Sequence, residues 1–422
     1  MLRLLVPATL LLSACSGKPE SLSQSTVAHD CMQEYAAERA SEPDIQVLRP
    51  ATFIEGERYA QSIAASGDTG LVFSTLATIG AIDIHLWNDT RWMPLDRIKL
   101  PGQSVSNTRQ LMLATSADGE TLAVFANDPS SDNRNELYVL ERLGESWIIT
   151  DSWPVTGTCS ANHAYSEMQS ELGSRNAWQL KISDNSDRIL AGCVRDLVVY
   201  TREQLHWSAT ATSDHLRNRD VSQFAVNDAI DRIAFLERTA DVLQLYTLEL
   251  SEGSWRALAM KQIKPLPATD VIHMVANGKA DQIIIASWDY PNAVPRRALA
   301  RLYQSQADGS LRLLKTFCSP PAQSETAELR FASDRYLQSL TVGWQNIPGS
   351  EASLSTFSYQ PDTDQWFKQW QLPQLMSEIT TEAFADRLSY SPNGKALFIS
   401  NDRKQASGPL NRVGEVLSIR RP

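Results

Sequence analysis

The side chains that most often carry out chemistry are scattered in this sequence. The histidines fall in unrelated segments: His29, His85, His163, His206, His215 and His273. They show no spacing typical of metal ligands or of a base placed beside a nucleophile. The motifs G-x-S-x-G, H-E-x-x-H and G-x-G-x-x-G and the P-loop motif are absent. The sequence therefore predicts no catalytic residue, no metal site and no cofactor.

Two acidic segments contain enough oxygen ligands to be considered for calcium. One contains Asp128, Asp132 and Glu136, and the other contains Asp184 and Asp187. Calcium takes about six to eight oxygens from a loop that curls around the ion, and neither segment has the spacing of a known calcium loop. Both segments are interpreted as turns whose side chains cap the backbone, and calcium binding is left open.

Cys15 is the cysteine with the clearest chemical role. It ends the stretch MLRLLVPATLLLSAC, in which one arginine precedes an apolar run and small residues precede the cysteine. This layout is that of an export signal, and the last four residues, LSAC, resemble the lipobox of bacterial lipoproteins. The resemblance implies that a signal peptide, residues 1–14, is removed. It also implies that the thiol of Cys15 receives diacylglycerol and that the new amino group receives palmitate or a similar acyl chain.

The residues after Cys15 predict where the protein is held. An Asp beside the lipidated cysteine implies retention in the inner membrane of Gram-negative bacteria, whereas this chain has Ser16. Ser16 implies the periplasmic side of the outer membrane, with the inner membrane as the alternative. Residues 15–28 are interpreted as a flexible tether. Residues 29–43 are predicted to form one short helix that Asp30 caps and Pro43 ends.

The elements that must position these residues belong to an internal repeat. The second strand of each unit is an apolar run after a small polar turn. Its copies are SGDTGLVFSTL from Ser66, SADGETLAVFAN from Ser116, SDNSDRILAGCV from Ser183, VNDAIDRIAFLE from Val226, ANGKADQIIIASW from Ala276, ASDRYLQSLTVGW from Ala332 and SPNGKALFISND from Ser391. A third strand alternates apolar and polar residues, and a fourth begins at a large apolar residue: Trp92, Trp147, Trp207, Trp255, Leu311 and Trp366. A repeated unit of four strands is typical of a propeller blade, and the tryptophans are expected to pack between blades.

The seventh unit ends after its third strand, and the segment Ile45–Ile54 has no partner of its own. Pairing that segment into the last unit would close the ring and remove an open edge. The predicted fold is therefore an all-β, seven-bladed β-propeller of four-stranded blades over residues 44–422. Its last blade is closed by the N-terminal strand.

Two segments resemble known propeller repeats. Residues 116–153 resemble the bacterial FG-GAP-like repeats related to the integrin-α propeller. The segment SPNGKALFISND resembles the WD40-like repeat of TolB-type periplasmic proteins. The resemblance implies a propeller. It does not extend to calcium binding, because no unit contains a D-x-D-x-D-G loop.

The remaining cysteines are even in number, which suits disulfides in an oxidising compartment. They are Cys31, Cys159, Cys193 and Cys318. The loops that join successive blades share one face of a propeller with the loops between second and third strands. Cys159 and Cys193 are predicted to lie in such neighbouring loops and to pair. Cys31 and Cys318 would then pair and hold the predicted helix onto the ring, with unpaired buried thiols as the alternative.

Three long loops between second and third strands could form a recognition surface on that face. They contribute aromatic and basic side chains: Trp288, Tyr290, Arg296, Arg297, Trp344, Arg403 and Arg412. Aromatic residues beside arginines are typical of interaction hot spots on loops. The alternative is that Trp288 and Trp344 end buried strands and complete the core.

The predicted function is a lipid-anchored, periplasm-facing propeller that binds or scaffolds another envelope protein. The alternative is a hydrolase or lyase that uses the central pocket. A glycan or small-molecule ligand is left open. The net charge of −10 makes nucleic acid an unsuitable partner, because phosphate neutralisation needs a basic surface. Cys15 is expected to supply the contact with membrane lipid.

Overall fold

The computed structural model describes sixteen internal stretches and the C-terminal strand. These are residues 44–48, 59–67, 70–102, 110–128, 134–155, 179–192, 197–204, 206–212, 221–239, 242–263, 271–289, 295–306, 311–325, 327–346, 352–372, 387–401 and 415–420. The chain divides into two compact units, Met1–Ala36 and Ala37–Pro422, and every described residue belongs to the second. The predicted signal peptide, tether and helix lie outside the described residues. Within these stretches no helix is long and apolar enough to cross a bilayer.

The described strands form seven antiparallel sheets of four strands each, named here blades 1 to 7. Blade 1 consists of β2 (Tyr59–Ala65), β3 (Leu71–Leu76), β4 (Ala81–Trp87) and β5 (Trp92–Lys99). Blade 2 consists of β6 (Gln110–Thr115), β7 (Thr121–Asp128), β8 (Arg134–Leu143) and β9 (Ser146–Pro154). Blade 3 consists of β10 (Gln179–Ile182), β11 (Arg188–Gly192), β12 (Val198–Glu203) and β13 (His206–Thr212). Blade 4 consists of β14 (Val221–Val226), β15 (Arg232–Thr239), β16 (Val242–Ser251) and β17 (Ser254–Ile263).

The remaining blades continue the same order. Blade 5 consists of β18 (Val271–Ala276), β19 (Gln282–Trp288), β20 (Ala298–Ser305) and β21 (Leu311–Cys318). Blade 6 consists of β22 (Ala327–Ser333), β23 (Ser339–Asn346), β24 (Ala352–Gln360) and β25 (Gln365–Leu372). Blade 7 consists of β26 (Arg387–Tyr390), β27 (Ala396–Asn401), β28 (Glu415–Arg420) and β1 (Asp44–Leu48). The pairing of β1 with β28 runs from Asp44 opposite Arg420 to Leu48 opposite Val416. The predicted seven-bladed, all-β propeller fold is confirmed.

One polar residue opens the turn between the first and second strands of every blade. These residues are Ser66, Ser116, Ser183, Asn227, Asn277, Asp334 and Ser391. In each blade the side-chain oxygen accepts a backbone N–H at the end of the turn, at 2.8–3.2 Å. These hydrogen bonds satisfy donors that the turn would otherwise leave unpaired, so short polar residues recur at this position.

The backbone of the same turns enters the left-handed region. Gly119 and Gly394, of the Asp-Gly and Asn-Gly pairs, have φ of 74° and 67°. Blade 4 instead has Ile230 there, with φ of 52°. A β-branched residue is strained at positive φ, but this side chain is fully buried in the core between blades 3 and 4. Burial of the side chain therefore offsets the backbone strain.

In blades 1 to 6, the large residue near the start of the fourth strand packs on the preceding blade. Trp147 of blade 2 meets Phe73 of blade 1 edge-on, with ring centroids 5.2 Å apart. Trp366 of blade 6 meets Phe317 of blade 5 at 4.7 Å. Trp92 of blade 1 meets Phe398 of blade 7. Trp207 lies in the cluster between blades 2 and 3. Trp255 lies in the cluster between blades 3 and 4, and Leu311 lies in the cluster between blades 4 and 5. The recurrent tryptophans are thus packing residues between blades, as expected.

Each complete fourth strand also contains one extra residue, a β-bulge, in its pairing with the third strand. In blade 1, Pro94 pairs with His85 and Asp96 with Ile84, so Leu95 has no partner. The bulge falls three residues after the recurrent Trp or Leu in six blades: Leu95, Thr150, Thr210, Leu258, Leu314 and Gln369. A bulge increases local twist and bends the strand.

The interface between blades 6 and 7 contains several buried polar side chains. The face of blade 6 turned to blade 7 carries five buried polar side chains, named here the polar seam: Ser339, Thr341, Gln345, Thr356 and Ser358. The Thr341 hydroxyl lies 2.8 Å from the hydroxyl of Tyr390 on blade 7. Arg330, only 5 % exposed, donates from Nε and Nη2 to Oε1 of Gln345 at 3.2 and 3.0 Å. A hydrogen bond between two hydroxyl groups therefore joins the two blades at this seam.

Candidate functional site

The first strands of the blades contact one another around a central channel. Polar side chains tie two neighbouring pairs of these inner strands together, β2 to β6 and β10 to β14. Gln61 and Ser62 on β2 accept the backbone N–H groups of Leu111 and Leu113 on β6, both at 3.1 Å. Lys181 on β10 donates to a backbone carbonyl of β14 at 2.9 Å. At these two places the polar side chains of the inner strands are engaged by a neighbouring strand.

One mouth of the channel carries a group of four charged side chains, named here the mouth cluster: Lys181, Asp184, Asp228 and Arg335. Arg335 lies in the turn between β22 and β23 of blade 6. Its Nε donates to Oδ2 of Asp228 at 3.0 Å, and its Nη2 forms an ion pair with Asp184. The two aspartates belong to blades 4 and 3, which are not neighbours of blade 6. The guanidinium therefore reaches across the channel and joins opposite sides of the ring.

Asp228 is the centre of the mouth cluster. Its Oδ1 accepts a hydrogen bond from Nζ of Lys181 at 2.9 Å, while Oδ2 receives Arg335. Its side chain is 10 % exposed. A Cβ added to Gly278 of blade 5 would lie 3.0 Å from Oδ2, so glycine allows the two turns to approach. Two cations and two carboxylates compensate one another here, which suits a structural link better than an acid–base site.

The interface between blades 5 and 6 contains a titratable histidine. Burial lowers the pKa of His273 on β18 to about 4, so its imidazole is neutral near pH 7. The ring meets Phe331 on β22 edge-on, with centroids 5.4 Å apart. Among the described residues, no group of three or more His, Cys, Asp or Glu is arranged to hold a metal ion.

The acidic segments considered for calcium have turn partners where they are described. Asp184 belongs to the mouth cluster, and Asp187 accepts a hydrogen bond from the hydroxyl of Ser183 at 2.8 Å. The Glu136 carboxylate accepts a hydrogen bond from the hydroxyl of Tyr138. Asp132 lies outside the described residues. Asp187 and Glu136 therefore bond within their own turn or strand, whereas Asp184 pairs with Arg335 of another blade.

The aromatic residues of the predicted recognition surface lie largely inside the molecule. Trp288 is 5 % exposed and Trp344 is 7 % exposed. The guanidinium of Arg296 stacks 4.2 Å from the centroid of the Trp288 ring and donates to two backbone carbonyls at 2.7 and 2.6 Å. Nε1 of Trp344 donates to the carbonyl of Pro320 at 2.8 Å. These three side chains therefore brace the ends of their strands.

The other predicted site residues are in part outside the described stretches. Arg297 is described and half-buried, and its backbone N–H donates to Asp289 at 2.6 Å. Cys318 ends β21 and is 4 % exposed. Tyr290, Arg403, Arg412, Cys15, Cys31, Cys159 and Cys193 lie outside the described residues. The lipid attachment and both disulfide pairings stay predictions.

Sequence reasoning missed the mouth cluster and the polar seam. Arg335 follows Asp334 in a turn that resembles the six others, and its partner Asp228 is 107 residues away in the chain. The polar seam did leave a signal: in SLTVGWQ, small and polar residues occupy alternate positions of a strand that is otherwise apolar. That alternation predicts a strand with one polar face, although it does not say that the face is buried.

No family model matches this chain, and no curated protein matches it. Among solved structures, the β-propeller domain of Myceliophteria thermophila Cps50 (Swd1) aligns with a TM-score of 0.50 and 8 % identity, over 90 % of this chain and 100 % of that one. A putative 6-phosphogluconolactonase from Bacteroides uniformis aligns with a TM-score of 0.46 and 14 % identity, over 75 % and 84 % of the two chains. The periplasmic gluconolactonase PpgL of Pseudomonas aeruginosa aligns at 0.44 and 12 %, over 74 % and 85 %. At these identities the likeness to the Cps50 domain concerns the fold alone, and the chain shares with that domain the architecture of a β-propeller.

Proposed function

We propose that this chain is a lipid-anchored propeller on the periplasmic side of the outer membrane and that it binds or scaffolds another envelope protein. The observation that carries the proposal is the mouth cluster. Arg335 pairs with two carboxylates of other blades across the channel, which supports a structural role for these groups. A rigid ring whose blades differ mainly in their loops is a suitable support for a binding surface.

Closure of the ring by the N-terminal strand is part of the proposal. The antiparallel register of β1 with β28 supports it. Two hydrogen bonds also join Gln46 of β1 to blade 1: its Nε2 donates to Thr90 at 2.7 Å and its Oε1 accepts the N–H of Trp92 at 3.3 Å. A lipid on Cys15 would then lie close in sequence to a strand of the ring.

The anchor can be tested by changing two adjacent residues. Cys15→Ser is expected to release the protein from the membrane fraction, because no thiol remains to accept diacylglycerol. Ser16→Asp is expected to keep the lipid and move the protein to the inner membrane. Membrane fractionation and mass spectrometry of the N-terminal peptide measure both results. Retention of Cys15→Ser in the outer membrane would contradict the proposed anchor.

The binding role can be tested with a photo-crosslinking amino acid placed at one position at a time in living cells. A probe at Arg297, beside the long loop of blade 5, is expected to give a discrete adduct with one envelope protein. The control is a probe at Arg312, an exposed residue on the outer strand of the same blade. Equal adducts from both positions, or none from the loop, would argue against a binding surface on that face.

A further inference from the structure

The interface between blade 7 and blade 1, named here the closing interface, is where the two ends of the ring meet. Phe398 on β27 meets Trp92 of blade 1, with ring centroids 5.6 Å apart. Ser418 on β28 is directly opposite Phe398, and Ser400 follows Phe398 two residues later on β27. Side chains that are directly opposite on adjacent strands, or two residues apart on one strand, project to the same face. Both serines therefore face blade 1.

Blade 1 presents hydroxyl groups to the same interface. Val72 and Leu76 on β3 belong to the apolar cluster that joins the two blades, and Ser74 lies between them on the same face. Tyr59 belongs to the same cluster. Burial raises the pKa of its phenol, whereas the neighbouring hydroxyl of Ser74 acts in the opposite direction. A protonated phenol and a serine hydroxyl are therefore buried side by side beneath blade 7.

The hydroxyl groups of the closing interface are buried without matching partners. Tyr59, Ser74, Ser400 and Ser418 are all fully buried. Tyr59 and Ser74 are neighbours, but among the described residues none of the four hydroxyls has a partner with hydrogen-bond geometry. The other described hydroxyls of this kind belong to blades 3 and 6: Ser186, Ser339 and Ser355. Since a buried hydroxyl without a partner loses its hydration and gains no bond in return, these four groups weaken the closing interface.

The backbone of blade 1 is irregular at the same place. Tyr59 is opposite Leu76 and Ile63 is opposite Ser74, so three residues of β2 face one residue of β3. Within this segment the buried Ala60 has a φ of 59°, in the left-handed region. A residue other than glycine is strained at such a φ. Backbone strain and unmatched hydroxyls therefore coincide at the closing interface.

Contacts from the two terminal strands of the described chain hold the closing interface together. The guanidinium of Arg420 on β28 lies 3.7 Å from the centroid of the Trp87 ring on β4. The side chain of Gln46 on β1 bonds to the backbone of Thr90 and Trp92 in blade 1. A cation over an indole ring and hydrogen bonds near the surface are weak enough to break and re-form. Arg420 and Gln46 therefore have the properties of a latch.

We propose that the closing interface opens reversibly while blades 2 to 5 stay folded, with Arg420 and Gln46 as the latch. Opening gives water access to the four unmatched hydroxyls. It therefore costs less free energy than separation of the apolar interface between blades 1 and 2. The inference rests on the proposed closure of the ring by β1, and it goes further because it assigns the ring a defined point of opening.

Hydrogen exchange followed by mass spectrometry tests this on the folded chain, residues 16–422. The slowest amides of β27 and β28 are expected to exchange at least about 10-fold faster than those of β7 in blade 2, because local opening is more frequent than global unfolding. Trp87→Leu, a change in blade 1, is expected to speed exchange in β28 about 2- to 5-fold and to leave β7 unchanged. This response across the interface distinguishes opening from fraying of the C-terminal strand.

Ser418→Ala removes one unmatched hydroxyl and is expected to slow exchange in β27 and β28 about 5- to 100-fold. The matched control is Ser391→Ala in the same blade. The Ser391 hydroxyl accepts the N–H of Ala396 at 2.9 Å, so its loss should speed exchange instead. A single exchange rate for β7, β27 and β28, or unchanged or faster exchange in Ser418→Ala, would overturn the proposal. Exchange of β28 at the rate of an unfolded chain would refute closure by β1 itself, and this inference with it.

Discussion

The interface between blades 1 and 2 and the interface between blades 6 and 7 solve the same packing problem with different chemistry. In the first, Phe73 and Trp147 meet inside a cluster of aliphatic side chains. In the second, Thr341 meets Tyr390 through hydroxyl groups, within the polar seam. Apolar burial is proportional to area and tolerates small shifts, whereas a hydrogen bond requires correct distance and angle. The apolar interfaces therefore supply stability, and the polar seam specifies how blade 7 is seated.

The largest expected effect comes from removing the apolar contact. Trp147→Ala deletes a buried indole and leaves a cavity against Phe73, which is expected to lower the free energy of unfolding by about 3–5 kcal/mol. Urea unfolding measures it. Leu143→Ala, in the same blade at a position that is 61 % exposed, is the control and should change stability by less than about 0.5 kcal/mol. Equal losses in the two variants would mean that the recurrent tryptophans do not hold the blades together.

A second effect depends on pH and concerns the interface between blades 5 and 6. An unfolded histidine titrates near 6.5, whereas the pKa of folded His273 is about 4. As the pH falls from 6.5 to 4, the unfolded chain therefore binds a proton that the folded chain does not, and stability is lost. The expected loss from pH 7 to pH 5 is about 2 kcal/mol.

His273→Phe should remove that part of the pH dependence while keeping an aromatic contact with Phe331. The control is His206→Gln, at an exposed position. Unfolding measured at both pH values compares the variants with the parent protein. A parent slope that His273→Phe leaves unchanged would show that another group titrates.

The mouth cluster is expected to contribute less than an apolar interface. Arg335→Gln removes two contacts with carboxylates that are partly exposed, with an expected loss of about 1–2 kcal/mol that shrinks at high salt. Arg256→Gln breaks the exposed pair with Glu252 and should cost less than about 0.5 kcal/mol. If Arg335→Gln is as mild as the control, the contact across the channel does not stabilise the ring.

The smallest expected change in stability tests the difference between the apolar and polar interfaces most directly. Thr341→Val leaves the shape of the polar seam unchanged but removes the hydrogen bond to Tyr390, with an expected cost of about 0.5–1 kcal/mol. Adding Tyr390→Phe should recover part of the loss, because two apolar partners leave no unmatched hydroxyl. A double-mutant cycle by urea unfolding measures the coupling. Additive losses would indicate that the two hydroxyls act independently.

The sequence predicted the fold well because the repeat is encoded locally. The polar residue that opens each turn bonds within the same turn, and the recurrent tryptophan follows its own turn, so each copy can be recognised alone. The polar contacts between blades were not predictable in this way. In the sequence, Arg335 resembles other turn residues. Its contacts with aspartates depend on the folded ring, which places blade 6 across the channel from blades 3 and 4.

The predicted recognition surface shows a second limit of sequence patterns. An aromatic residue at the end of a strand, followed by arginines, is compatible with a surface or with a core. The burial of Trp288 under Arg296 depends on how the loop returns over the strand, which the pattern does not contain.

The bulge three residues after each recurrent Trp or Leu has a consequence for crowded conditions. The fourth strand of a blade exposes a row of unpaired backbone groups to which another chain could add a strand. In blades 1 to 6 the bulge interrupts the regular spacing of that row, and in blade 7 the outer strand is only five residues long. Regular intermolecular sheets are therefore disfavoured around the whole circumference. Many copies of this ring could lie side by side on a surface without polymerising through their edges.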